Sequence, residues 1–440
     1  FLEIKTSIDD FVGARLANCS PPSCFVIVYH IPYLPNSPIY IYRQPSKMSH
    51  LLTIIRFVYS PPVQCRHMDF ELTEQQRLVR RTARDLAEEH FADNAFTWDD
   101  IPWKNAKLLA EHDMLAVSLP EKYGGAGMSA LDAVLAMEGV GSVCPHTANA
   151  IHAACFGPSR AIDSFGTERQ KEEYLPPVAA GESFIAIAIS EPEAGSHATA
   201  MSTSAEIEGG EYVVNGRKAW VSDADSADAF LTYVVLPDGN IGSLIIDRDT
   251  PGFTVAEPDE NMAGQPQSEL FFDDARVPKD KVLLSGPDAF KKQITAYNIE
   301  RIGAMAKVWI AAKWAFDEAL EYSQNREQFG QPIGGFQAVQ HRLAEMAIRL
   351  KTSRLLIYEA LADDDLPSRF DSSLAKVYVS EACQDVVDDA LQIKAAAGYV
   401  GDTPESYLYR FVRGFQIASG TNDVHRTMVA KSLAESGFPE

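Results

Sequence analysis

Positive charge is scarce in this sequence: its 440 residues include 39 Lys and Arg against 61 Asp and Glu, which gives a formal net charge of −22. Because proteins hold a nucleic-acid backbone through basic surfaces, this balance argues against a nucleic-acid partner. Long apolar runs are also lacking, and none reaches the length that a membrane-spanning helix needs. We therefore expect a soluble protein with no stable membrane insertion, in the cytoplasm, or in the mitochondrial matrix if the source is eukaryotic.

Cysteine is scarce too, with six residues and no Cys-x-x-Cys pair. Cys144, Cys155 and Cys383 are scattered through the main body, a distribution that fits buried thiols in a reducing compartment. Histidines and acids at metal-ligand spacing are lacking, since His146 and His152 are six residues apart and do not share a helix face. We predict no metal site.

Residues 1–67 differ in composition from the rest of the chain. They are rich in Pro, Ser, Tyr and Ile and hold six Lys and Arg against three acids, whereas residues 68–440 hold 33 against 58. They lack the pattern of a secretory signal, and their early acids argue against a transit peptide. We interpret them as an unstructured leader or translated upstream sequence, with Met68 as the true start. The acid excess of the remainder fits either adaptation to high salt or an ordinary acidic cytosolic protein.

The chain from Met68 onward changes its periodicity twice. Residues 68–182 and 287–440 follow a helical period, whereas residues 183–286 contain β-branched and aromatic runs with a period of two. Asn-Gly and Asp-Gly pairs are expected to form turns between those strands. This order predicts an α+β fold: an N-terminal helical domain, a middle antiparallel β-barrel or sandwich domain, and a C-terminal four-helix bundle.

Two local predictions concern the first helical domain. Ser129, with Asp132 three residues later, is expected to cap a helix in a variant of the capping box. One face of the first helix is expected to carry its apolar residues, at spacings of three to five. Those residues are Leu78, Ala83, Leu86 and Phe91.

Five motifs occur in order along the chain: "FGTERQKEEYLPPVAAGE", "AISEPEAGSHA", "VNGRKAWVSDA", "NREQFGQPIGGFQAVQ" and "QIASGTNDVHR". Together, with the helix–strand–helix order, they resemble the acyl-CoA dehydrogenase family over essentially all of residues 68–440. The resemblance implies FAD as cofactor, an acyl-CoA substrate, an electron-transfer flavoprotein as electron acceptor, and a homo-oligomer, with a dimer of dimers as the expected form.

The resemblance also implies a flavin site. Ser190 would bond the edge of the flavin ring, Ser196 would lie near the FAD phosphates and the CoA moiety, and Trp220 with Ser222 would hold the ring from its other side. Arg326 would reach the FAD of a neighbouring subunit. Without the resemblance, the serines fit ordinary turns, Trp220 a buried strand aromatic and Arg326 a helix-end arginine. The full predicted set is Ile189, Ser190, Ser196, Trp220, Val221, Ser222, Arg326, Gln328, Phe329, Gln392, Ala395, Ala396, Thr421 and Asp423.

Two departures from the family pattern stand out. Ala395 and Ala396 occupy the place of a glycine pair in "QIKAAAGY", so each adds a Cβ where the backbone would approach FAD. Arg410-Phe411 stands where the family has Arg-Asp, which removes a carboxylate.

The catalytic base is the third departure, because Ser419 replaces the usual glutamate of the "EGT" motif. Serine is too weak a base to take its place. Glu300, on the long helix in "AYNIERIG", is the alternative, and a branch of the family that includes isovaleryl-CoA and long-chain enzymes carries its base at this position. We predict Glu300 as the catalytic base. The predicted substrate-binding residues are Ser196, Asn298, Arg301, Ser419 and Gly420.

The predicted reaction is α,β-dehydrogenation of an acyl-CoA thioester: the α-proton goes to Glu300 and the β-hydride to flavin N5. Two alternatives keep the fold. One is a flavin-dependent oxidase or monooxygenase, which would not need Glu300. The other is a non-catalytic relative that binds flavin or CoA, which the altered Ala395-Ala396 pair would favour.

Overall fold

The computed structural model describes residues 5–7, 25–30, 39–43, 71–96, 103–362 and 366–439. They fall into two units, Phe1–Phe70 and Glu71–Glu440. In the first unit, β1 (Lys5–Ser7) pairs in parallel with β2 (Phe25–His30), which pairs antiparallel with β3 (Ile39–Arg43). Most of the expected leader, residues 1–67, lies outside the described residues.

Six helices open the second unit, and capping boxes define three of their starts. Thr73, Ser129 and Thr167 each accept a hydrogen bond from the backbone three residues on, and the side chain there returns one. The predicted Ser129–Asp132 box is therefore confirmed. The helices are α1 (Glu74–His90), α2 (Trp103–Glu111), α3 (Ala130–Gly141), α4 (Ala148–Cys155), α5 (Gly157–Phe165) and α6 (Glu168–Ala179).

The buried face of α1 differs from the predicted one at one position. Leu78 is 50% exposed, and Val79 is buried instead, beside Ala83, Leu86 and Phe91. Leu78 and Ala83 are five residues apart, which turns their side chains well away from each other on a helix, whereas a spacing of four keeps Val79 and Ala83 on one face. The prediction for Leu78 was wrong.

A nine-stranded, mostly antiparallel sheet follows α6, and its two longest strands pair with each other over most of their length. Asp238-Gly239 makes the predicted turn between two strands, but Asn215-Gly216 lies inside a strand. A side chain at Gly216 would stand 2.6 Å from Thr203, so the glycine permits a close strand crossing rather than a turn. The strands are β4 (Ile185–Ala188), β5 (Ser204–Glu208), β6 (Glu211–Ser222), β7 (Ala229–Val235), β8 (Ile241–Asp247), β9 (Phe253–Val255), β10 (Asp259–Glu260), β11 (Pro266–Pro278) and β12 (Val282–Leu284).

Long helices form the C-terminal part, and the first of them runs through the core. This helix, α7, spans 37 residues, Ala289–Asn325, and most of its side chains between Ile299 and Ala315 are buried. The remaining elements are β13 (Glu327–Gln328), β14 (Gln331–Pro332), α8 (Gln337–Ala360), α9 (Arg369–Lys394), α10 (Ala396–Tyr399), α11 (Pro404–Gly414) and α12 (Asn422–Ser436). Helix α7 packs against α3, α5, α8 and α9, so its residues face both helical regions.

The predicted α+β class, with helices before and after a mainly antiparallel sheet, is confirmed. Cys144, Cys155 and Cys383 are buried, as the sequence indicated. Among the residues that the structure describes, no helix has the length and apolar character to cross a bilayer.

Candidate active site

Glu300 lies in the buried middle of α7, with its side chain only 12% exposed. Its Oε2 is 3.2 Å from Nε2 of His152 on α4, but neither atom makes a hydrogen bond within the part of the chain that the structure describes. Gly157, at the start of α5, lies close to the same oxygen: a Cβ added at this residue would stand 3.1 Å from it. The carboxylate therefore sits under the α4–α5 junction without a hydrogen bond to Oε2.

The ionisable side chains around Glu300 are two neutral groups and two cations. Burial lowers the pKa of His152 below its ordinary value despite the nearby carboxylate, so the imidazole is neutral at neutral pH. Burial, and then the charge of Glu300, raise the pKa of Tyr297 to about 12, so its phenol keeps its proton. Arg301 and Lys307 carry the positive charge that acts on Glu300 from its own helix.

The corner that contains Ser419 contacts α7 at Tyr297 and at Arg301, which lie before and after Glu300 in the sequence. The carbonyl of Ser419 accepts hydrogen bonds from Arg301 Nε at 3.3 Å and from His425 Nε2 at 3.0 Å, and its hydroxyl lies 3.4 Å from that of Tyr297. Ser419 and Gly420 adopt φ values of 58° and 92°, which turn the chain sharply here. The structure thus brings the predicted base and the Ser419 corner into one site.

The backbone N–H of Ser419 makes no hydrogen bond within the described part of the chain. It is therefore free to donate to a ligand at this corner, which is the role the family resemblance implies for it. The two other predicted substrate residues on α7 are engaged internally. Asn298 donates to the carbonyl of Pro367 at 3.0 Å and accepts from Arg301 at 2.7 Å, so its predicted contact with an acyl chain stays a prediction.

A buried ion pair shapes the loop after β4 that contains the predicted flavin serines. Glu191 accepts hydrogen bonds from Lys218 Nζ at 2.8 Å and from the backbones of Ser202 and Thr203 at 2.7 and 3.0 Å. Lys218 also donates to the carbonyl of Ile189 at 3.0 Å. Burial raises the pKa of Glu191, but these hydrogen bonds outweigh it and lower the pKa to about 2. We did not predict this pair, although a lysine inside an apolar strand such as "KAWV" is a signal for one.

Trp220, at the end of β6, is held away from the core by a left-handed backbone (φ 56°) and is 61% exposed. It is therefore no buried strand aromatic, and its ring is free to cover a planar ligand. Ser190 is half-buried and Ser196 exposed, while Ser222 exchanges hydrogen bonds with Gln267 across the sheet. The side chain of Val221, also in β6, packs into the hydrophobic core of the sheet, so only the backbone of this residue can face a ligand.

The remaining predicted cofactor residues lie near the ends of helices or in the β13–β14 hairpin. Phe329 is 95% exposed at the tip of the β13–β14 hairpin that follows α7. Within the described residues, no hydrogen bond, ion pair or ring contact joins this hairpin to the loop of Ser190. Arg326 ends α7, Gln328 lies in β13, Gln392 is exposed on α9, Ala395 and Ala396 join α9 to α10, Thr421 caps α12, and Asp423 is in its first turn.

Ala395 stands in a backbone conformation that suits glycine, with φ 50° and ψ −131°. Such positions cost a residue with a Cβ roughly 1–3 kcal/mol. We expect Ala395→Gly to raise the free energy of unfolding by about 1 kcal/mol, after allowing for the greater freedom of unfolded glycine. Urea unfolding measures this. Ala396→Gly is the matched control and should destabilise, because Ala396, the first residue of the four-residue helix α10, has no positive φ, and glycine there adds only freedom to the unfolded chain. A loss of stability in both variants would contradict the strain argument.

Comparison with known proteins covers nearly all of the second unit. Models of the acyl-CoA dehydrogenase N-terminal, middle and C-terminal domains match residues 73–182, 186–275 and 290–434. The chain is 33% identical over 378 residues to a probable acyl-CoA dehydrogenase, YngJ, of Bacillus subtilis, covering 83% of this chain and 100% of the relative. It is 37% identical over 377 residues to the 3-sulfinopropanoyl-CoA desulfinase of Paraburkholderia xenovorans, covering 83% and 97%. The solved structure of butyryl-CoA dehydrogenase from Megasphaera elsdenii superimposes with a TM-score of 0.77 at 29% identity, covering 83% of this chain and 100% of that one.

Proposed function

Because the chain belongs to the acyl-CoA dehydrogenase family, we propose that it removes hydrogen from the α and β carbons of an acyl-CoA thioester, with Glu300 as the base. The family relationship makes the protein an FAD-dependent oxidoreductase that acts on acyl-CoA. One observation carries the finer proposal. Glu300, a carboxylate whose buried Oε2 receives no hydrogen bond from the residues described by the structure, lies beside the corner where Ser419 replaces the usual base.

The residues present fit the cofactor. Trp220 offers an exposed ring, Ser190 and Ser222 offer hydroxyls beside it, and the loop that holds Ser190 is fixed by the Lys218–Glu191 pair. When bound, FAD would supply the acceptor for the hydride of the β-carbon. The Arg326–Phe329 hairpin, with its exposed charge and ring, would complete the site of a neighbouring subunit.

The residues on α7 and at the Ser419 corner then have separate roles toward the thioester: one donates a hydrogen bond, one accepts the proton, and two hold the donor in place. The free N–H of Ser419 donates to the thioester oxygen, which takes up negative charge as the α-proton leaves. Glu300 accepts that proton. Arg301 and His425 hold the carbonyl of Ser419, so that the donor keeps its direction.

The test of this proposal is anaerobic reduction of the flavin by a panel of short, branched and long acyl-CoAs. At least one should bleach the flavin absorbance, and an electron-transfer flavoprotein, the partner we propose, should restore it. A flavin that no acyl-CoA reduces would refute the proposal. The names of two relatives contain a neutral acyl group, butyryl, and an anionic one, 3-sulfinopropanoyl, so the panel must contain both kinds.

We also propose a homo-oligomer, with a dimer of dimers as the expected form. Phe329, Tyr399 and Val400 expose most of their apolar surface at ends of the bundle, which favours burial against another copy. Light scattering should give the mass of a dimer or tetramer, and Phe329→Ser should shift it toward the monomer with loss of FAD. A monomer that retains FAD would contradict this prediction.

A further inference from the structure

The imidazole of His152 is in contact with the carboxylate that we propose as the base. Its Nε2 lies 3.2 Å from Oε2 of Glu300, and the two side chains keep only 10% and 12% of their surfaces exposed. Both atoms are shut off from solvent, and neither makes a hydrogen bond within the part of the chain that the structure describes. Because a buried polar atom without a partner costs free energy, such atoms are rare in folded proteins and often mark a catalytic site.

Two glycines make room for this contact. A Cβ at Gly303, on α7 one turn after Glu300, would stand 2.9 Å from Cδ2 of His152 and 2.8 Å from the ring of Phe156. A Cβ at Gly157 would stand 3.1 Å from Oε2 of Glu300. Gly303 lies inside a helix, where glycine is less favourable than alanine. Alanine at position 303 would therefore strengthen the helix but displace the imidazole.

The orientation of the imidazole is fixed by Phe156 on its face. The two rings stack with their centroids 5.6 Å apart and an angle of 21° between their planes. Because the imidazole is held at its face, its edge, with Nε2, is the part that meets the carboxylate. Burial lowers the pKa of His152, so the ring is neutral at neutral pH. A neutral imidazole that carries its hydrogen on Nε2 is a donor for a carboxylate oxygen.

We infer that His152 is a positioning residue for the proposed base: its Nε2–H donates to Oε2 of Glu300 and leaves Oε1 to accept the α-proton. This role rests on the proposed function. A separation of 3.2 Å is at the upper end of the range for a hydrogen bond, and the hydrogen bonds of catalytic groups commonly tighten when the substrate binds. The bond holds the carboxylate in one direction and favours its ionised form, which is the form that accepts a proton.

The first experiment follows flavin reduction by acyl-CoA, in anaerobic stopped flow, across the pH range. His152→Leu fills the space but cannot donate. It should slow the reduction at neutral pH about tenfold, and the pH at which the rate falls to half should rise by about 1 pH unit, because the carboxylate without its donor takes up a proton at higher pH. His152→Gln, whose amide N–H can reach the place of Nε2, should keep most of the rate and the midpoint of the parent. Since glutamine does not titrate, this result would assign the acid limb of the profile to Glu300 and not to the imidazole.

Two further variants separate the contact from the mere presence of a buried histidine. Gly303→Ala keeps both partners but pushes the imidazole away, so it should reproduce the slower rate and the higher midpoint of His152→Leu. His146→Leu is the matched control, because it removes another buried histidine of the same helical region, and it should leave the midpoint where it is in the parent. The other ionisable groups that act on the pair are the same in all these variants; they are Tyr297, Arg301 and Lys307, on α7.

Urea unfolding at neutral pH tests the contact without any reaction. His152→Leu should raise the equilibrium constant of unfolding about tenfold more in the parent background than in the Glu300→Gln background, because a buried carboxylate loses more than an amide does when its donor is removed.

Three results would overturn this inference and leave the proposed function intact: a midpoint in His152→Leu equal to that of the parent, a His152→Gln variant as impaired as His152→Leu, or equal effects of His152→Leu on unfolding in the two backgrounds. A parent whose flavin no acyl-CoA reduces would refute the proposed function itself. The role of His152 toward the base would then fail with it, whatever the unfolding experiment gives.

Discussion

Glu300→Gln is expected to slow the reduction of the flavin by acyl-CoA by about 10²–10⁴-fold, the range that a positioned general base contributes. Glutamine keeps the shape of the side chain but cannot accept the α-proton. FAD and acyl-CoA should still bind, because neither the Ser419 corner nor the Ser190 loop depends on the charge of Glu300. Anaerobic stopped-flow spectroscopy measures the rate, and the spectral change on adding acyl-CoA measures binding.

Two variants serve as comparisons for this result. Glu321→Gln removes an exposed carboxylate from the same helix and should keep the parent rate. Ser419→Ala should reduce the rate only slightly, because the proposed donor is its backbone N–H and its hydroxyl makes one long contact of 3.4 Å. If Glu300→Gln reduces its flavin as fast as the parent, Glu300 is a bystander, and an oxidase, a monooxygenase or a non-catalytic relative explains the protein better.

The order of the elements could be predicted from the sequence because periodicity and turn chemistry are local. The change from a helical period to a period of two, and back, marks the sheet between the helical regions, and the Ser129 cap follows from residues three apart. The two wrong predictions have different causes. Leu78 was assigned to the buried face at a spacing of five from Ala83, which turns the two side chains away from each other on a helix, and Val79 is buried instead. Asn-Gly pairs are typical of turns, but Gly216 lies inside β6, where Thr203 comes so close that only glycine fits.

The catalytic base could be proposed from the sequence because two motifs depart from the usual family pattern together: Ser419 lacks the usual carboxylate, and Glu300 offers one on the long helix. The candidate site was not predictable where its parts meet only in space. His152 lies 148 positions before Glu300 in the chain, and nothing in "AIHAACFG" indicates that its imidazole faces a carboxylate on another helix.

Lys218→Met is expected to lower the free energy of unfolding by about 3–5 kcal/mol, the usual effect of removing one member of a buried ion pair. Methionine fills much of the space but leaves the charge of Glu191, 4% exposed, without its cation. The carbonyl of Ile189 loses a donor as well, so the loop of Ser190 should loosen and FAD should bind more weakly. Urea unfolding gives the stability, and flavin fluorescence after dilution gives the retention of FAD. Lys279→Met, at an exposed position beyond the same sheet, should change neither.

The pH dependence of this loss follows from the pKa of Glu191, which is about 2 in the folded protein against an ordinary 4.5. Because the folded pKa is the lower one, the stabilisation by the ionised pair is present above pH 4.5 and disappears as the pH falls toward 2. Without Lys218, burial raises the pKa of Glu191 in the folded variant above its ordinary value, so the difference in stability between the parent and Lys218→Met should begin to shrink above pH 4.5 and continue to shrink as the pH falls toward 2. Adding Glu191→Gln to Lys218→Met should recover part of the loss at neutral pH, because no buried charge then remains unpaired. A double variant as unstable as the sum of the two single ones would show that the residues act independently, and that the loop of Ser190 is held by its backbone alone.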